Sequence, residues 1–153
     1  MVVMKNHEND TAVTGIQHQR RIVVGVDGSD CAESALEFAA HEAARWGAPL
    51  SVVSAYEVPP SSSWVSASLG PLEEAAAAIV RQALAKVHEL EPRVVAKGEH
   101  LYGMAGSVLV AESRGASMLV VGSRGRGEIL SILLGSVSEH CGHHAACPVT
   151  IVH

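Results

Sequence analysis

Aromatic residues, cysteines and long hydrophobic runs are all scarce in this 153-residue chain, and each scarcity excludes a class of protein. Aromatic residues make up only 3% of the sequence, so the core must be aliphatic and rich in alanine. Three cysteines (Cys31, Cys141 and Cys147) do not form a disulfide framework, and we therefore expect a reducing, cytoplasmic setting. No apolar run approaches the roughly 20 residues of a membrane span, and the N-terminus lacks the hydrophobic region of a signal peptide.

Positive charge is also in short supply. The formal net charge is -5, and the sequence contains no run rich in lysine or arginine. This balance argues against a protein that coats nucleic acid or an anionic membrane, and we expect neither as a partner. Hydrophobic residues at 48% and charged residues at 18% indicate a globular chain, and its length favours one domain with a real core.

Strand-like and helix-like segments alternate from residue 20 to residue 153, whereas residues 1–19 are mostly polar and predict a flexible tail. Short β-branched runs predict strands, and apolar residues at helical spacing predict helices. The predicted strands lie at 22–26, 50–56, 93–97 (a weak one), 118–122 and 149–152. Four helices separate them: one opened by a capping box at Asp30 and Glu33 and ended by Gly47, one from Pro71 to residue 90, one at 104–114, and one capped by Ser136. An irregular loop is predicted at 58–70.

This alternation predicts an α/β fold: a single domain over residues 20–153 with a doubly wound parallel sheet of five strands and helices on both faces. In such sheets, a ligand binds outside the carboxyl ends of the strands, where the winding direction reverses. Residues that follow strands are therefore the first candidates for a functional site.

A glycine-rich stretch follows the strand at 118–122. Three glycines and two arginines lie in residues 122–127 (GSRGRG), and nine residues separate Gly125 from the pair Gly135-Ser136. Glycine lets the backbone approach a ligand closely, and consecutive exposed N–H groups make a concavity that binds anions. A helix beginning at Ser136 adds unpaired N–H groups, so the chemistry suits a polyphosphate. Neither the P-loop pattern nor a complete G-x-G-x-x-G occurs here.

A second loop, Asp27-Gly28-Ser29, follows the first strand. If the sheet reverses between the first and fourth strands, the two loops face each other across one crevice. The carboxylate of Asp27 can then accept hydrogen bonds from a ribose hydroxyl or hold a metal ion. The competing interpretation is structural, because Asp-Gly is a common turn dipeptide at the end of a strand.

The spacing Gly-x2-Gly-x9-Gly-[Ser/Thr] is matched without a gap by Gly122, Gly125, Gly135 and Ser136. With residues 23–29 (VVGVDGS), 120–125 (VVGSRG) and 147–152 (CPVTIV), the chain resembles the universal stress protein family, and specifically its ATP-binding branch. Two departures are visible: Met104 stands where the family often has a proline, and Ser117 replaces a frequent aspartate. Neither position is expected to touch a ligand.

The resemblance implies a sheet of order 3-2-1-4-5, of the adenine nucleotide alpha hydrolase-like type, with the crevice between strands one and four. It implies bound ATP, with Asp27 near the ribose or adenine and able to meet nucleotide-bound Mg²⁺, and a homodimer built through the C-terminal strand. The candidate nucleotide-binding residues are Gly25, Asp27, Gly28, Ser29, Ala55, Gly122, Ser123, Arg124, Gly125, Gly127, Gly135, Ser136, Val137 and Ser138.

Three functions remain open at this point. The first is an ATP-binding regulatory module of the stress response, because no catalytic apparatus is evident beside the glycine stretch. The second is a slow ATPase or a nucleotidyl- or phosphoryl-transferring enzyme, which would need charge neutralisation by a metal or arginine and an aligned nucleophile. The third is a nucleotide-free dimeric interaction protein, against which the glycine pattern argues.

A cluster of histidines near the C-terminus has no place in that site. His140 stands three and four residues before His143 and His144, so their side chains share one helix face, with Cys141 and Cys147 close in sequence. That spacing can seat a metal ion, yet surface or interface histidines explain it equally well, and no second ligand pair is evident. We therefore expect no metal site; a pH-sensitive interface is the other alternative.

Overall fold

The computed structural model describes residues 21–58, 69–125 and 134–153. The predicted tail at 1–19 and most of the predicted loop at 58–70 lie outside these residues. The elements are β1 (Ile22–Gly25), α1 (Asp30–Trp46), β2 (Leu50–Tyr56), α2 (Leu69–Leu90), β3 (Ala96–Tyr102), α3 (Ala105–Glu112), β4 (Met118–Gly122), α4 (Ser136–His144) and β5 (Val149–Val152).

The strands form one parallel sheet of order β3-β2-β1-β4-β5, as predicted. The central strand β1 pairs on one side with β2 (Ile22 opposite Leu50) and on the other with β4 (Ile22 opposite Met118). The chain therefore winds outward from β1 in one direction and from β4 in the other, and the carboxyl ends of these two strands lie side by side. A crevice at this reversal is where open α/β sheets bind ligands.

Both faces of the sheet are covered, so successive residues of β1 enter different cores. Val24 is buried with α1 and α2, whereas Val23 is buried with Leu109 of α3 and Cys141 of α4. The predicted aliphatic, alanine-rich core is confirmed. The buried face of α1 consists almost wholly of alanine, which lets this helix lie close to the sheet: Ala32, Ala35, Leu36, Ala39, Ala40 and Ala43.

Helix ends differ from the predictions by one or two residues. The N-cap of α1 is Ser29, not Asp30, because the Ser29 side chain accepts a hydrogen bond from the N–H of Ala32. Helix α1 ends at Gly47, as predicted, with a left-handed φ of 61°. Helix α2 begins at Leu69, two residues before Pro71.

The predicted third strand at 93–97 is too early, because β3 spans Ala96–Tyr102. The strand has an edge position and its residues are alternately exposed and half-buried, so it lacks the apolar run that marks the central strands. Gly98 in its middle packs directly under Val80 and Leu84 of α2. Helix α3 is also shorter than predicted and ends at Glu112. Within the described ranges, no helix is both long and apolar enough to cross a membrane.

Candidate functional site

A cavity of about 470 Å³ opens at the carboxyl ends of β1, β2 and β4, on the face that carries α3 and α4. It lies at the reversal of winding between β1 and β4. Its lining residues include members of both loops singled out by the sequence and of the first turns of α1, α3 and α4. They are Gly25, Val26, Asp27, Ala32, Val53, Ala55, Ala105, Leu109, Val121, Gly122, Arg124, Gly125, Leu134, Gly135, Ser136, Val137, Ser138 and Glu139.

Asp27 is held in place by the loop that follows it. Its Oδ1 accepts hydrogen bonds from the backbone N–H of Ser29 at 2.9 Å and from the Ser29 hydroxyl at 2.6 Å. Gly28 makes this short turn with a positive φ of 80°, a conformation that side chains disfavour. Ser29 also caps α1, so one hydroxyl joins the start of a helix to the orientation of a carboxylate in the cavity wall.

The first two glycines of the glycine-rich stretch have different local roles. A Cβ atom at position 122 would lie 2.7 Å from the carbonyl carbon of Cys31 and 2.9 Å from the nitrogen of Ala32. Gly122 therefore permits β4 to end against the first turn of α1. A Cβ atom at position 125 would instead lie 2.6 Å from Oδ2 of Asp27, so Gly125 leaves room for that carboxylate.

Ser123 links three parts of the site through its backbone. Its N–H donates to the carbonyl of Val152 in β5 at 2.6 Å. Its carbonyl accepts from the N–H of Gly135 at 2.7 Å and from the hydroxyl of Ser138 at 3.0 Å. The residue is fully buried, and its hydroxyl donates to the sulfur of Cys31 at 3.8 Å. Ser123 thus fixes the glycine-rich stretch between the sheet edge and α4.

Helix α4 begins at the wall of the cavity. Its N-cap is Gly135, so Ser136 is the first helical residue and not the predicted cap. Glycine has no side chain to satisfy the N–H groups of the first turn, which have no partner within a helix. Those N–H groups and the positive end of the helix dipole favour an anion at this position. Arg124 lines the same cavity and adds a positive charge.

Part of the cavity lining is an apolar wall. Val53 and Ala55 come from β2, and Ala105 and Leu109 come from successive turns of α3. Gly25 lets Leu109 approach β1, because a Cβ atom at position 25 would lie 2.7 Å from a methyl carbon of that leucine. The cavity therefore combines an apolar wall with a polar end rich in backbone N–H groups, a combination typical of small-molecule sites.

Most of the predicted site residues lie together in this cavity. Ten of them line it: Gly25, Asp27, Ala55, Gly122, Arg124, Gly125, Gly135, Ser136, Val137 and Ser138. Three others, Gly28, Ser29 and Ser123, are not in its wall. Gly28 and Ser29 line a smaller cavity of about 170 Å³ between α1 and α2, and Ser123 is buried. Gly127 lies outside the described residues.

Sequence reasoning identified Ala55 in the apolar wall but missed the other residues of that wall and one carboxylate. Nothing in the sequence marks Val53, Ala105 or Leu109 as different from core residues. Glu139 lines the cavity from the first turn of α4, where a negative charge complements the helix dipole. Its position three residues after Ser136 is the only signal that could have identified it, since residues three apart share a helix face.

Comparisons with known proteins agree with this architecture. The universal stress protein Rv2623 of Mycobacterium tuberculosis (strain ATCC 25618 / H37Rv) is 32% identical over 145 residues, which cover 95% of this chain and 48% of the relative. The chain thus spans about half the length of the curated relatives it matches.

Two of the similar solved structures that carry bound nucleotides show the extent of the likeness. A universal stress protein in complex with cAMP is similar with a TM-score of 0.69 and 29% identity, covering 88% of this chain and 97% of the other. The universal stress protein from Archaeoglobus fulgidus in complex with dAMP is similar with a TM-score of 0.67 and 25% identity, covering 87% of this chain and 97% of the other. The model of the universal stress protein family matches residues 19–153, and the chain belongs to that family.

Proposed function

We propose that this chain binds ATP in the cavity between β1 and β4 and acts as a nucleotide-responsive regulatory module of the stress response. The observation that carries the proposal is the position of the α4 N-terminus. Hydrogen bonds from Gly135 and Ser138 to the Ser123 carbonyl hold that N-terminus beside the loop that begins at Gly122, at the wall of a cavity large enough for a ligand.

The polar end of the cavity suits the phosphates. The first turn of α4 offers N–H groups without a capping side chain, and Arg124 supplies a positive charge. Two carboxylates, Asp27 and Glu139, also line the cavity and would repel a bare polyphosphate. Mg²⁺ bound with the nucleotide would offset this repulsion, because it prefers carboxylate and phosphate oxygens. Asp27 is the residue we propose to meet that ion.

The apolar end suits the base. Val53, Ala55 and Leu109 offer aliphatic surface to a flat ring, and a nucleobase needs few polar contacts to be oriented against such a wall. The two similar structures that hold cAMP and dAMP support an adenine base here.

We also propose a cytoplasmic location. The three cysteines are free thiols, which suits a reducing compartment.

We further propose a homodimer built through β5. This strand is at one edge of the sheet and pairs with β4 on one side. Leu119 donates to the carbonyl of Pro148, and Ser123 donates to the carbonyl of Val152, so alternate residues of β5 face β4. The backbone of Ile151 faces the other way, where a second copy of the chain could pair. Ile151→Pro should therefore give monomers in sedimentation velocity, and Ile151→Thr should remain dimeric.

The function is tested by identifying the ligand. Native mass spectrometry of gently purified protein should find ATP, and isothermal titration calorimetry should rank ATP against AMP and cyclic AMP. Arg124→Gln should weaken ATP binding more than AMP binding, because it removes charge at the phosphate end. Arg114→Gln, an exposed arginine outside the cavity, is the matched control.

The same samples separate regulation from catalysis. Bound, unhydrolysed ATP indicates a regulatory module, whereas turnover that is lost in Asp27→Asn indicates a slow ATPase. Failure of millimolar ATP to raise the melting temperature would refute nucleotide binding, because a ligand that binds the folded state alone must stabilise it.

A further inference from the structure

Two histidine rings stack on the C-terminal half of α4. The rings of His140 and His144 have centroids 4.4 Å apart and an interplanar angle of 24°. They stand four residues apart and so share one helix face. The ring of His143 meets His144 edge-on, with centroids 6.2 Å apart. The nucleotide cavity includes none of these rings.

A hydrogen bond sets the tautomer of neutral His144. Its Nδ1 lies 2.9 Å from the backbone carbonyl oxygen of His140. A carbonyl oxygen only accepts, so neutral His144 carries its proton on Nδ1 and keeps the lone pair on Nε2. Histidines that ligate metals show this arrangement, in which the second ring nitrogen donates to a carbonyl or carboxylate and orients the ligating one. The ring is exposed, so Nε2 can be reached from solvent.

His140 is positioned by α3. A Cβ atom at position 106 would lie 2.8 Å from Cδ2 of the imidazole, so Gly106 allows the ring to pack directly on the backbone of α3. The ring remains half-exposed and stacked on His144. The last turn of α4 also places backbone carbonyls nearby, and the negative end of a helix dipole favours a cation.

We propose that His140 and His144 form an open binding site for a divalent transition-metal ion. Two imidazole nitrogens that each bind one ion at about 2.1 Å must lie within about 4 Å of each other, which requires neighbouring rings such as the stacked rings of His140 and His144. Within the described ranges no group of three or more histidine, cysteine or acidic side chains is arranged for a metal. The site therefore has two protein ligands, and water completes the coordination.

The chemistry of the ligands ranks the ions. Imidazole suits copper, nickel and zinc, and a site of given ligands binds Cu²⁺ most tightly. Paired histidines four residues apart on a helix are also the arrangement that holds zinc in the H-E-x-x-H motif. Acid should release the ion, because imidazole must be neutral to ligate. From the sequence alone we expect no metal site; the stacked rings and the hydrogen bond at Nδ1 of His144 are the observations that support this proposal.

The test is a titration of tag-free protein with Cu²⁺, followed by calorimetry and electron paramagnetic resonance. The wild-type spectrum should show hyperfine structure from two nitrogen ligands. His144→Asn keeps an amide donor for the carbonyl of His140 but removes Nε2, and His140→Gln removes the other ligand. Each should weaken binding by about tenfold or more. His143→Asn, an exposed histidine in the same turn, is the control and should bind as the wild type does.

Two outcomes overturn the proposal. Unchanged Cu²⁺ affinity in the variant that carries both His140→Gln and His144→Asn would show that the ion binds elsewhere. An equal loss in His143→Asn would show a diffuse histidine surface and not a paired site. Circular dichroism of each variant without metal verifies that the helix remains folded, so that a loss of affinity reports on the ligands.

Discussion

Oδ2 of Asp27 lies so close to Gly125 that a Cβ atom at position 125 would be 2.6 Å from it. The two loops identified from the sequence thus meet across the crevice, and the Asp27 carboxylate occupies the space that a side chain at position 125 would need. Gly125→Ala should push the Asp27 carboxylate aside and weaken ATP binding in calorimetry. The melting temperature without nucleotide should change little, because one rotatable carboxylate can move.

The control for that variant is Gly142→Ala. A Cβ atom at position 142 meets nothing within 4 Å, and the residue is exposed inside α4. Alanine there should stabilise the fold by about 0.5–1 kcal/mol, because glycine loses more conformational freedom in a helix. ATP affinity should be unchanged. Equal ATP affinities in Gly125→Ala and Gly142→Ala would show that the position of the Asp27 carboxylate does not affect ATP binding.

Gly122→Ala should damage the fold before it damages a ligand site. Its Cβ would press on the backbone of Cys31 at 2.7 Å, and backbone cannot rotate away. Overpacking of this kind costs about 1–3 kcal/mol. Urea denaturation should show the loss without any nucleotide present. Wild-type stability for this variant would mean that β4 and α1 can separate at no cost.

Ser29→Ala should lower both stability and nucleotide affinity. The change removes two hydrogen bonds of the Ser29 hydroxyl. One caps α1 and is worth about 1 kcal/mol, and the other orients the Asp27 carboxylate. Chemical denaturation and ATP titration measure the two effects separately. Ser34→Ala is the control, since that exposed hydroxyl only donates to the carbonyl one turn earlier in α1.

Ser138→Ala tests the connection between α4 and the glycine-rich stretch. The buried hydroxyl shares its one proton between the carbonyls of Ser123 and Gly135, so its removal should cost about 1 kcal/mol and loosen the loop. ATP should then bind more weakly, although the hydroxyl itself is already used within the protein. Ser107→Ala, at an exposed position on α3, should change neither quantity.

Alkaline pH should destabilise the fold through Cys141. Burial raises the pKa of this thiol from 9.0 to about 11, because the thiolate is poorly solvated inside the protein. The unfolded chain therefore loses this proton first. The stabilisation is complete below pH 9 and is lost as the pH rises toward 11. Urea denaturation across this range should show a steeper decline in the wild type than in Cys141→Ala.

The central strands, the helices and the alternation between them could be predicted from local sequence, because buried β-branched runs and alanine stripes are strong signals. Strand β3 was placed three residues too early, because an edge strand with Lys97, Glu99 and Gly98 lacks an apolar run. The strand order was implied by family resemblance; periodicity alone could not choose it.

Glycine spacing identified the polar end of the cavity. The roles of individual residues depended on packing that spacing does not encode. Ser123 and Ser138 were predicted as ligand contacts; Ser138 lines the cavity and Ser123 does not, and both hydroxyls are hydrogen-bonded within the protein. Apart from Ala55, the apolar wall was missed because Val53 and Leu109 are indistinguishable from ordinary core residues until the fold brings them together.

The backbone of Ser123 connects the edge strand β5 to the start of α4 as well as holding the glycine-rich stretch in place. The N–H of this residue belongs to the ladder with β5, and its carbonyl belongs to the start of α4. A displacement of the edge strand would therefore reach the polar end of the cavity through one residue. Under the proposed assembly, thermodynamic linkage requires reciprocity. If dimerisation raises nucleotide affinity by some factor, bound nucleotide must raise the affinity between the two subunits by the same factor.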